Sequence, residues 1–262
     1  MATIDQQQVD ESYLMKAGDI LGPIKAASYK ALELQSNSKI LDVGCGPGID
    51  ATNIAKIAPA QHHVTGVDFD ERMILAASQT AAKLGLTDKL NYQQANAYEL
   101  PFEANSFCAT RSERLLMHLD NPEKAIEEMC RVTKPGGKMV IIDSDWATLS
   151  SATGNDALER KLSHHLVNDM LPNGFSGRNL AGQLKAFGLE NIEVSVHAFS
   201  IDDPNVWRLI IQTEQIEQSA LANNIATPDE ISHWHDQIAA HSAAGKFQAT
   251  LCLTMATASV PE

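Results

Sequence analysis

Short apolar runs alternate with amphipathic stretches from residue 39 to about residue 145. The apolar runs predict five strands, at 40–43, 64–67, 90–94, 106–111 and 138–142. Between strands, apolar residues recur every three or four positions, as they do on the buried face of a helix. Strands that alternate with helices are joined by right-handed crossovers. The pattern therefore predicts an α/β fold: a doubly wound, mostly parallel sheet covered by helices on both faces.

The regular alternation of strand and helix patterns is absent on either side of this region. Residues 1–35 are polar and predict two short helical stretches, separated by a break at Gly22-Pro23. After residue 145 longer helical patterns predominate. They predict helices at 155–170, 179–187, 205–222 and 229–244, and strands at 192–199 and 247–256. We therefore expect an N-terminal helical segment, 1–35, followed by one domain, 36–262.

Composition narrows the classes of function. The 262 residues include 20 Lys+Arg and 33 Asp+Glu, a net charge of −13, which argues against nucleic acid as a partner. No run approaches the ~20 apolar residues of a membrane helix, and the first residues have no signal-peptide pattern. The four cysteines form no CxxC pair, which fits a reducing compartment and no zinc site. The predicted location is the cytoplasm.

A glycine-rich loop is the strongest chemical signal in the sequence. Gly44-x-Gly46-x-Gly48 follows a predicted strand and opens a predicted helix, and Asp68 ends the next strand 24 residues after Gly44. This arrangement is typical of a nucleotide-binding unit, in which the carboxylate binds ribose hydroxyls. A nicotinamide dinucleotide prefers GxGxxG, whereas the spacing here is GxGxG with Ile49 next. A cofactor without phosphates, a dinucleotide and a purely structural turn remain alternatives.

Four motifs in order extend this signal over residues 36–145: LDVGCGPG, GVDFD, ANAYELPFEANSF and HLDNPEKAIEEMCRVTKPGG. They resemble the class I S-adenosylmethionine-dependent methyltransferases. More narrowly, they resemble the type 11 branch that includes the ubiquinone/menaquinone methyltransferases. The resemblance implies a Rossmann-like, seven-stranded sheet whose last strand, here 247–256, is antiparallel. It also implies S-adenosylmethionine as the cofactor.

The resemblance implies a role for each matching residue. The loop would hold the methionine portion of the cofactor, Asp68 the ribose, and Phe69 would pack on the adenine. Asn96 and Ala97 would lie beside the adenine amino group. The family commonly has Asp where this chain has Asn96, but the Asn carbonyl still accepts a hydrogen bond. The backbone of Arg111 would face the methionine ammonium. The implied cofactor-binding residues are Asp42, Gly44, Cys45, Gly46, Asp68, Phe69, Asn96, Ala97 and Arg111.

Catalytic candidates follow the fourth and fifth predicted strands, at the edge where open α/β sheets bind ligands. His118 is either a base that faces the substrate or a structural residue at a helix end. Asp145 and Trp146 are candidates for the acceptor pocket, whereas Asp143 caps its strand in the simplest interpretation. Arg178 fits either an acidic substrate or a structural ion pair. The histidine pairs lack ligand spacing, so no metal site is predicted.

The predicted function is transfer of a methyl group from S-adenosylmethionine to a small-molecule acceptor by in-line displacement. The alternatives are an S-adenosylmethionine-binding regulator or cyclase that does not methylate, and a dinucleotide oxidoreductase. We expect residues 1–35 to act as a lid, with helical cap insertions at about 146–178 and 201–245. The second insertion could instead form a homodimer contact, through Trp207, Ile210 and Ile211.

Overall fold

Seven strands form one sheet in the order β3-β2-β1-β4-β5-β7-β6. A computed structural model describes residues 11–58 and 61–262. The strands are β1 (Lys39–Val43), β2 (His63–Asp68), β3 (Leu90–Gln94), β4 (Phe107–Glu113), β5 (Thr133–Ser151), β6 (Glu190–Ile201) and β7 (Ala249–Ser259).

Nine α-helices accompany these strands within the described residues. They are α1 (Glu11–Ala31), α2 (Ile49–Ile57), α3 (Glu71–Lys83), α4 (Pro122–Val132), α5 (Asp156–His165), α6 (Ser176–Ala186), α7 (Pro204–Ile211), α8 (Thr213–Ala222) and α9 (Pro228–Ala243). A 3₁₀ turn at Leu116–His118 follows β4, and a π-helical turn at Leu166–Met170 follows α5.

The strand directions confirm the predicted sheet. β1 pairs in parallel with β2 and with β4, and β4 pairs in parallel with β5. β7 runs antiparallel to β5, because Gly136 N donates to Val260 O near one end and Ala152 N donates to Gln248 O near the other. The strand order reverses between β1 and β4. The carboxyl ends of these two strands are therefore where this kind of sheet opens a crevice for ligands.

Three elements differ from the sequence predictions. α1 continues through Gly22-Pro23 without a break, and the helical stretch predicted at 205–222 is divided at Gln212, whose φ is 57°. β5 continues to Ser151, beyond the predicted end at Asp143. Asp143 is buried there, and its carboxylate accepts a hydrogen bond from Met117 N at 3.2 Å. Asp143 therefore does not end β5, and the donor that satisfies it comes from a segment 26 residues away.

The chain divides into two compact units. The first, called the motif unit, contains Ile24–Asp143, Gly177–Ser195 and Thr254–Glu262. The second, called the helical unit, contains Ser144–Ser176, Val196–Leu253 and the described residues up to Pro23. The predicted division into a lid, 1–35, and one domain with cap insertions stays a prediction.

The core of the motif unit lies on both faces of its strands. On one face, strands β1 and β2 and helix α2 pack against the C-terminal half of α1. The buried residues there include Ile40, Val64, Ile54, Tyr29 and Leu32. On the other face, α4 and α6 cover β1 and β4. Burial on both faces explains why these strands are nearly continuous apolar runs.

The helical unit has an aromatic core of its own. Trp207 lies with its ring centroid 5.8 Å from that of Trp234 and 5.5 Å from that of Phe247, in edge-to-face contacts. Trp207 and Ile211 are therefore buried within the chain, only 2% and 4% exposed. Trp207 and Ile211 therefore cannot supply the predicted homodimer contact, because their apolar surface is already covered. Ile210 is only partly buried, and the contact through it and the homodimer itself stay predictions.

Candidate cofactor-binding site

The glycine loop leaves β1 in a left-handed conformation. The φ angles of Gly44, Gly46 and Gly48 are 72°, 52° and 79°, values that side-chain-bearing residues rarely adopt. The amides of Gly44 and Cys45 both donate to Val67 O, at 2.8 and 2.9 Å, so the loop is tied to the end of β2. The loop then passes into α2, with Gly48 as its N-cap.

The three glycines serve different purposes. A Cβ atom on Gly48 would lie 2.5 Å from the Tyr92 hydroxyl, and one on Gly44 would lie 2.9 Å from Leu115, so close packing requires both glycines. A Cβ atom on Gly46 would meet nothing within 4 Å. The backbone at Gly46 therefore borders open space, which a side chain would fill.

Asp68 shapes the loop and brings charge to it. Its Oδ2 accepts a hydrogen bond from Gly46 N at 2.9 Å, and its Oδ1 accepts one from Asp70 N at 2.9 Å. A carboxylate has about four acceptor positions, so each oxygen can still accept a hydrogen bond from a ligand. The predicted ribose role of Asp68 is compatible with this geometry and stays a prediction.

The predicted adenine-side residues lie near the ends of β2 and β3. Phe69 is 71% exposed, so the faces of its ring are open for stacking. The Oδ1 atom of Asn96 accepts a hydrogen bond from Tyr98 N at 2.9 Å, and Ala97 packs against the core of the motif unit. The contacts predicted for these residues with the adenine stay predictions.

Arg111 is buried completely, and three carboxylates surround its guanidinium. Its nitrogens lie 3.3 Å from Asp42 Oδ1, 3.5 Å from Asp50 Oδ1 and 2.5 Å from Glu113 Oε2. The guanidinium carbon also lies 5.4 Å from the ring centroid of Tyr29. Sequence reasoning assigned only the Arg111 backbone, toward the methionine ammonium. That role stays a prediction, and the buried ion network was missed.

α1 supplies the rest of this network. Lys25 Nζ lies 2.7 Å from Asp50 Oδ2 and 2.6 Å from Glu113 Oε1. Ser28 Oγ accepts a hydrogen bond from Arg111 Nε at 3.1 Å, and the Tyr29 hydroxyl donates to Asp50. Spacings of three and four residues put these α1 side chains on one helix face. That polar face was the available signal in the sequence, but it does not reveal the partners.

The network separates the pKa values of its carboxyl groups. Burial raises the pKa of Asp42 to about 7, although the nearby charge of Arg111 opposes this shift. Burial also opposes ionisation of Asp50, but Arg111 and Lys25 outweigh it and lower the pKa of that group to about 2. Asp50 is thus ionised at neutral pH, whereas Asp42 is half protonated there.

The Cys45 thiol is not activated. Burial raises its pKa, and the nearby charges of Asp42, Asp68 and Asp50 raise it further. A protonated thiol is a poor nucleophile, so Cys45 acts as a small loop residue. The three carboxylates that affect Cys45 also give the loop a negative electrostatic environment.

The two catalytic candidates lie in different units. His118 ends the 3₁₀ turn in the motif unit; desolvation of its ring, and then the charge of Arg114, lower its pKa. The lowered pKa favours the neutral form of the ring, which a base must have. Asp145 lies inside β5 in the helical unit and is 7% exposed. Both catalytic roles stay predictions.

Two further properties can be stated for the described part of the chain. Within residues 11–58 and 61–262, no three His, Cys, Asp or Glu side chains are grouped so that they could hold a metal ion. None of the helices described there is long and apolar enough to cross a bilayer.

The sequence is similar to several known proteins. A family model described as a methyltransferase domain matches residues 34–225. An uncharacterized 37.1 kDa protein of a Streptomyces fradiae transposon is 30% identical over 65% of this chain and 49% of its own length. An uncharacterized methyltransferase of Schizosaccharomyces pombe is 29% identical over 77% of each chain. The ubiquinone/menaquinone biosynthesis C-methyltransferase UbiE of Brucella canis is 39% identical over 39% of this chain and 38% of its own. This chain thus spans about half or less of several curated relatives.

Solved structures share the fold. The [4+2]-cyclase SpnF has a TM-score of 0.59 and 20% identity, over 91% of this chain and 81% of its own. Phosphoethanolamine N-methyltransferase 2 of Haemonchus contortus, solved with S-adenosyl-L-methionine, has a TM-score of 0.62 and 20% identity, over 98% of this chain and 59% of its own. At these identities the likeness concerns the fold alone.

The family match covers most of the chain and includes the glycine loop, Asp68 at the end of β2 and the strands that position them. The sheet has the strand order described above, and the loop lies at its reversal point. The chain therefore belongs to the class I S-adenosylmethionine-dependent methyltransferases, in the type 11 branch that includes the UbiE C-methyltransferases.

Proposed function

We propose that this protein transfers a methyl group from S-adenosylmethionine to a small-molecule acceptor by in-line displacement. The cofactor supplies a methyl group that its positively charged sulfur already activates. The protein then has to bind that cation, align the acceptor with the methyl group and exclude water. Proximity and orientation alone can lower such a barrier by about 7–11 kcal/mol.

The negative environment of the glycine loop carries this proposal. Asp42, Asp50 and Asp68 all act on the loop at Cys45, and Asp50 lies in the first turn of α2. Lys25 and Arg111 offset much of the charge of Asp42 and Asp50. Asp68, however, accepts from backbone amides and has no cationic partner in the described structure. Its charge would repel a pyrophosphate at the start of α2 and attract a sulfonium or an ammonium. The carboxylates therefore favour a cationic cofactor over a dinucleotide.

The residues present fit such a cofactor. Open space borders Gly46, the Phe69 ring is exposed, and Asp68 retains acceptor capacity for ribose hydroxyls. Asp42 Oδ2 is a buried carboxyl oxygen that has no hydrogen-bond partner in the described structure. These groups would hold the methionine, ribose and adenine portions as the family resemblance implies.

A small-molecule acceptor fits the remaining features. The three helices between β6 and β7 add about forty residues beyond the sheet, enough to form an acceptor pocket of their own. The neutral His118 could remove a proton from an acidic carbon, a hydroxyl or an amine. The four cysteines are free thiols, which supports the cytoplasmic location that we also propose.

A second candidate function is binding of S-adenosylmethionine without methyl transfer. The solved structure of a [4+2]-cyclase has the same fold, so the scaffold does not by itself determine the reaction. The two functions differ in whether the cofactor is consumed.

The direct test follows the methyl group. The full chain would be incubated with S-adenosylmethionine carrying a trideuterated methyl group and a protein-free extract of small metabolites. We expect S-adenosylhomocysteine and a metabolite heavier by the labelled methyl group, in equal amounts by mass spectrometry. Cofactor that binds in calorimetry but is not consumed would favour the second function. Label found only on added protein or nucleic acid would contradict a small-molecule acceptor.

Asp68 provides a test of the binding mode. We expect Asp68→Ala to weaken binding of S-adenosylhomocysteine by about 1–3 kcal/mol, because a charged hydrogen-bond acceptor for the ribose is lost. Asp68→Asn should lose less, since the amide retains one oxygen to accept from the loop. Isothermal titration calorimetry measures both dissociation constants.

A ligand control separates the ribose contact from the shape of the loop. The deoxyribose analogue of S-adenosylhomocysteine lacks the hydroxyl group that Asp68 would bind. If the assignment is right, Asp68→Asn weakens binding of the normal ligand but has little effect on the analogue. Equal losses with both ligands would show that Asp68 acts only through the Gly46 amide.

A further inference from the structure

The buried network beside the glycine loop contains more carboxylates than buried cations. Asp42, Asp50 and Glu113 share the positive charges of Lys25 and Arg111, and all five side chains are at most 13% exposed. Burial makes an uncompensated charge costly. Against these two buried cations the cluster therefore has one carboxyl group in excess, and the third nearby cation, Arg114, is partly exposed and lies on the Glu113 side of the cluster.

Two of the three carboxyl groups are well supplied with cationic and hydrogen-bonding partners. Asp50 accepts from Lys25 and from the Tyr29 hydroxyl, and Glu113 accepts from Lys25 and Arg111. Arg114 Nε, at the rim of the network, lies 3.7 Å from Glu113.

Asp42 is the poorly compensated member. It has a single contact, at 3.3 Å from Arg111 Nη1, and its Oδ2 has no hydrogen-bond partner in the described structure. It is only 2% exposed, so water does not compensate for that lack.

Among the groups around the glycine loop, Asp42 is the one whose charge can change near neutral pH. The charged or titratable groups that face it are Arg111 and Glu113 from β4, Asp50 from α2, Lys25 from α1, Cys45 from the loop and Tyr92 from β3. Burial raises the pKa values of Cys45 and Tyr92, so both stay neutral near pH 7. The pKa of Asp50 is about 2, far below that range.

We propose that at mildly acidic pH Asp42 is protonated in the ligand-free protein and releases its proton to solvent when the S-adenosylmethionine site fills. The O–H bond of the carboxyl group breaks, the electron pair stays on oxygen, and the proton passes to the buffer. The positive charge of the ligand replaces the proton as the partner of the carboxylate. This inference rests on the proposed function, because it requires a cationic ligand at the loop.

The proton is measurable directly. Calorimetric titration of the full chain with S-adenosylmethionine, in phosphate and in Tris, gives the number of protons released, since the two buffers have different ionisation enthalpies. Because the pKa of Asp42 is about 7, we expect about 0.9 proton per ligand at pH 6 and about 0.1 at pH 8. The dissociation constant should be about tenfold weaker at pH 6 than at pH 8.

Asp42→Asn is the matched control, because it has the same shape and cannot titrate. The amine of the ligand titrates equally with both proteins, so the difference between them isolates Asp42. The variant should show no extra proton release at pH 6. Identical proton counts in wild type and variant would overturn the proposal. S-adenosylhomocysteine has the ammonium group but no sulfonium, so it shows which positive charge replaces the proton. Proton release with both ligands assigns the ammonium, and proton release with S-adenosylmethionine alone assigns the sulfonium.

A second measurement covers the case in which Asp42→Asn does not fold. Infrared difference spectra of the wild type, labelled with ¹³C-aspartate, should lose a protonated-carboxyl band when ligand is added at pH 6. No such loss would overturn the proposal. Binding and methyl transfer without proton release would overturn this inference and leave the proposed function standing. If S-adenosylmethionine did not bind at any pH, both would fall.

Discussion

Replacing Arg111 by methionine is expected to lower the free energy of unfolding by about 3–5 kcal/mol. Methionine roughly fills the space but leaves three buried carboxyl groups with one buried cation, Lys25. A typical domain has only about 5–15 kcal/mol of stability, so the variant loses a large part of it. Urea denaturation followed by circular dichroism measures the change.

The effect of Arg111→Met should depend on pH in a defined direction. Without the guanidinium, whose charge lowers both of them, the folded-state pKa values of Asp42 and Asp50 rise, and that of Asp42 moves further above its unfolded value. A carboxyl group with a raised pKa stabilises the fold at low pH and loses that contribution as pH rises. The loss relative to wild type should therefore be larger at pH 8 than at pH 5.

Arg72→Met is the matched control. Arg72 pairs with Asp70 at 2.7 Å, but its side chain is 66% exposed, so water can replace the pair. We expect a change below about 1 kcal/mol. If the two arginine variants lost similar amounts of stability, the buried network would not be energetically important.

Gly48→Ala is expected to cost about 2–5 kcal/mol of stability. An alanine at φ 79° pays about 1–2 kcal/mol for the left-handed conformation. Its Cβ atom would also lie 2.5 Å from Tyr92 Oη and 2.8 Å from Ala77 Cβ, and overpacking of this kind costs about 1–3 kcal/mol more. Thermal and urea denaturation measure the loss.

Gly85→Ala separates the two contributions. Gly85 has a similar backbone, with φ 65°, but a Cβ atom there meets nothing within 4 Å. This variant should lose only the conformational part, about 1–2 kcal/mol. Equal losses at Gly48 and Gly85 would show that the loop relaxes away from Tyr92 and that close packing does not require the glycine.

Much of the motif unit followed from local pattern. The positions of β2 and β3 depend on residues close together in the chain. Spacing likewise identified the glycine loop and Asp68, because the strand–loop–helix unit that contains them is short and continuous. The extension of β5 past Asp143 was not predictable, since the group that satisfies its carboxylate is Met117 N.

The sequence by itself determined the alternation of strands and helices, the left-handed turn at the glycines and the carboxylate that follows the next strand. These depend on the conformational preferences and polarity of residues a few positions apart. Only the tertiary structure brought Lys25 to Glu113, 88 positions away, and surrounded Arg111 with acids. Only burial left Asp42 with an unpartnered oxygen. The electrostatic energy of a buried group depends on every charge that folding brings near it, so it cannot be read from any one stretch of sequence.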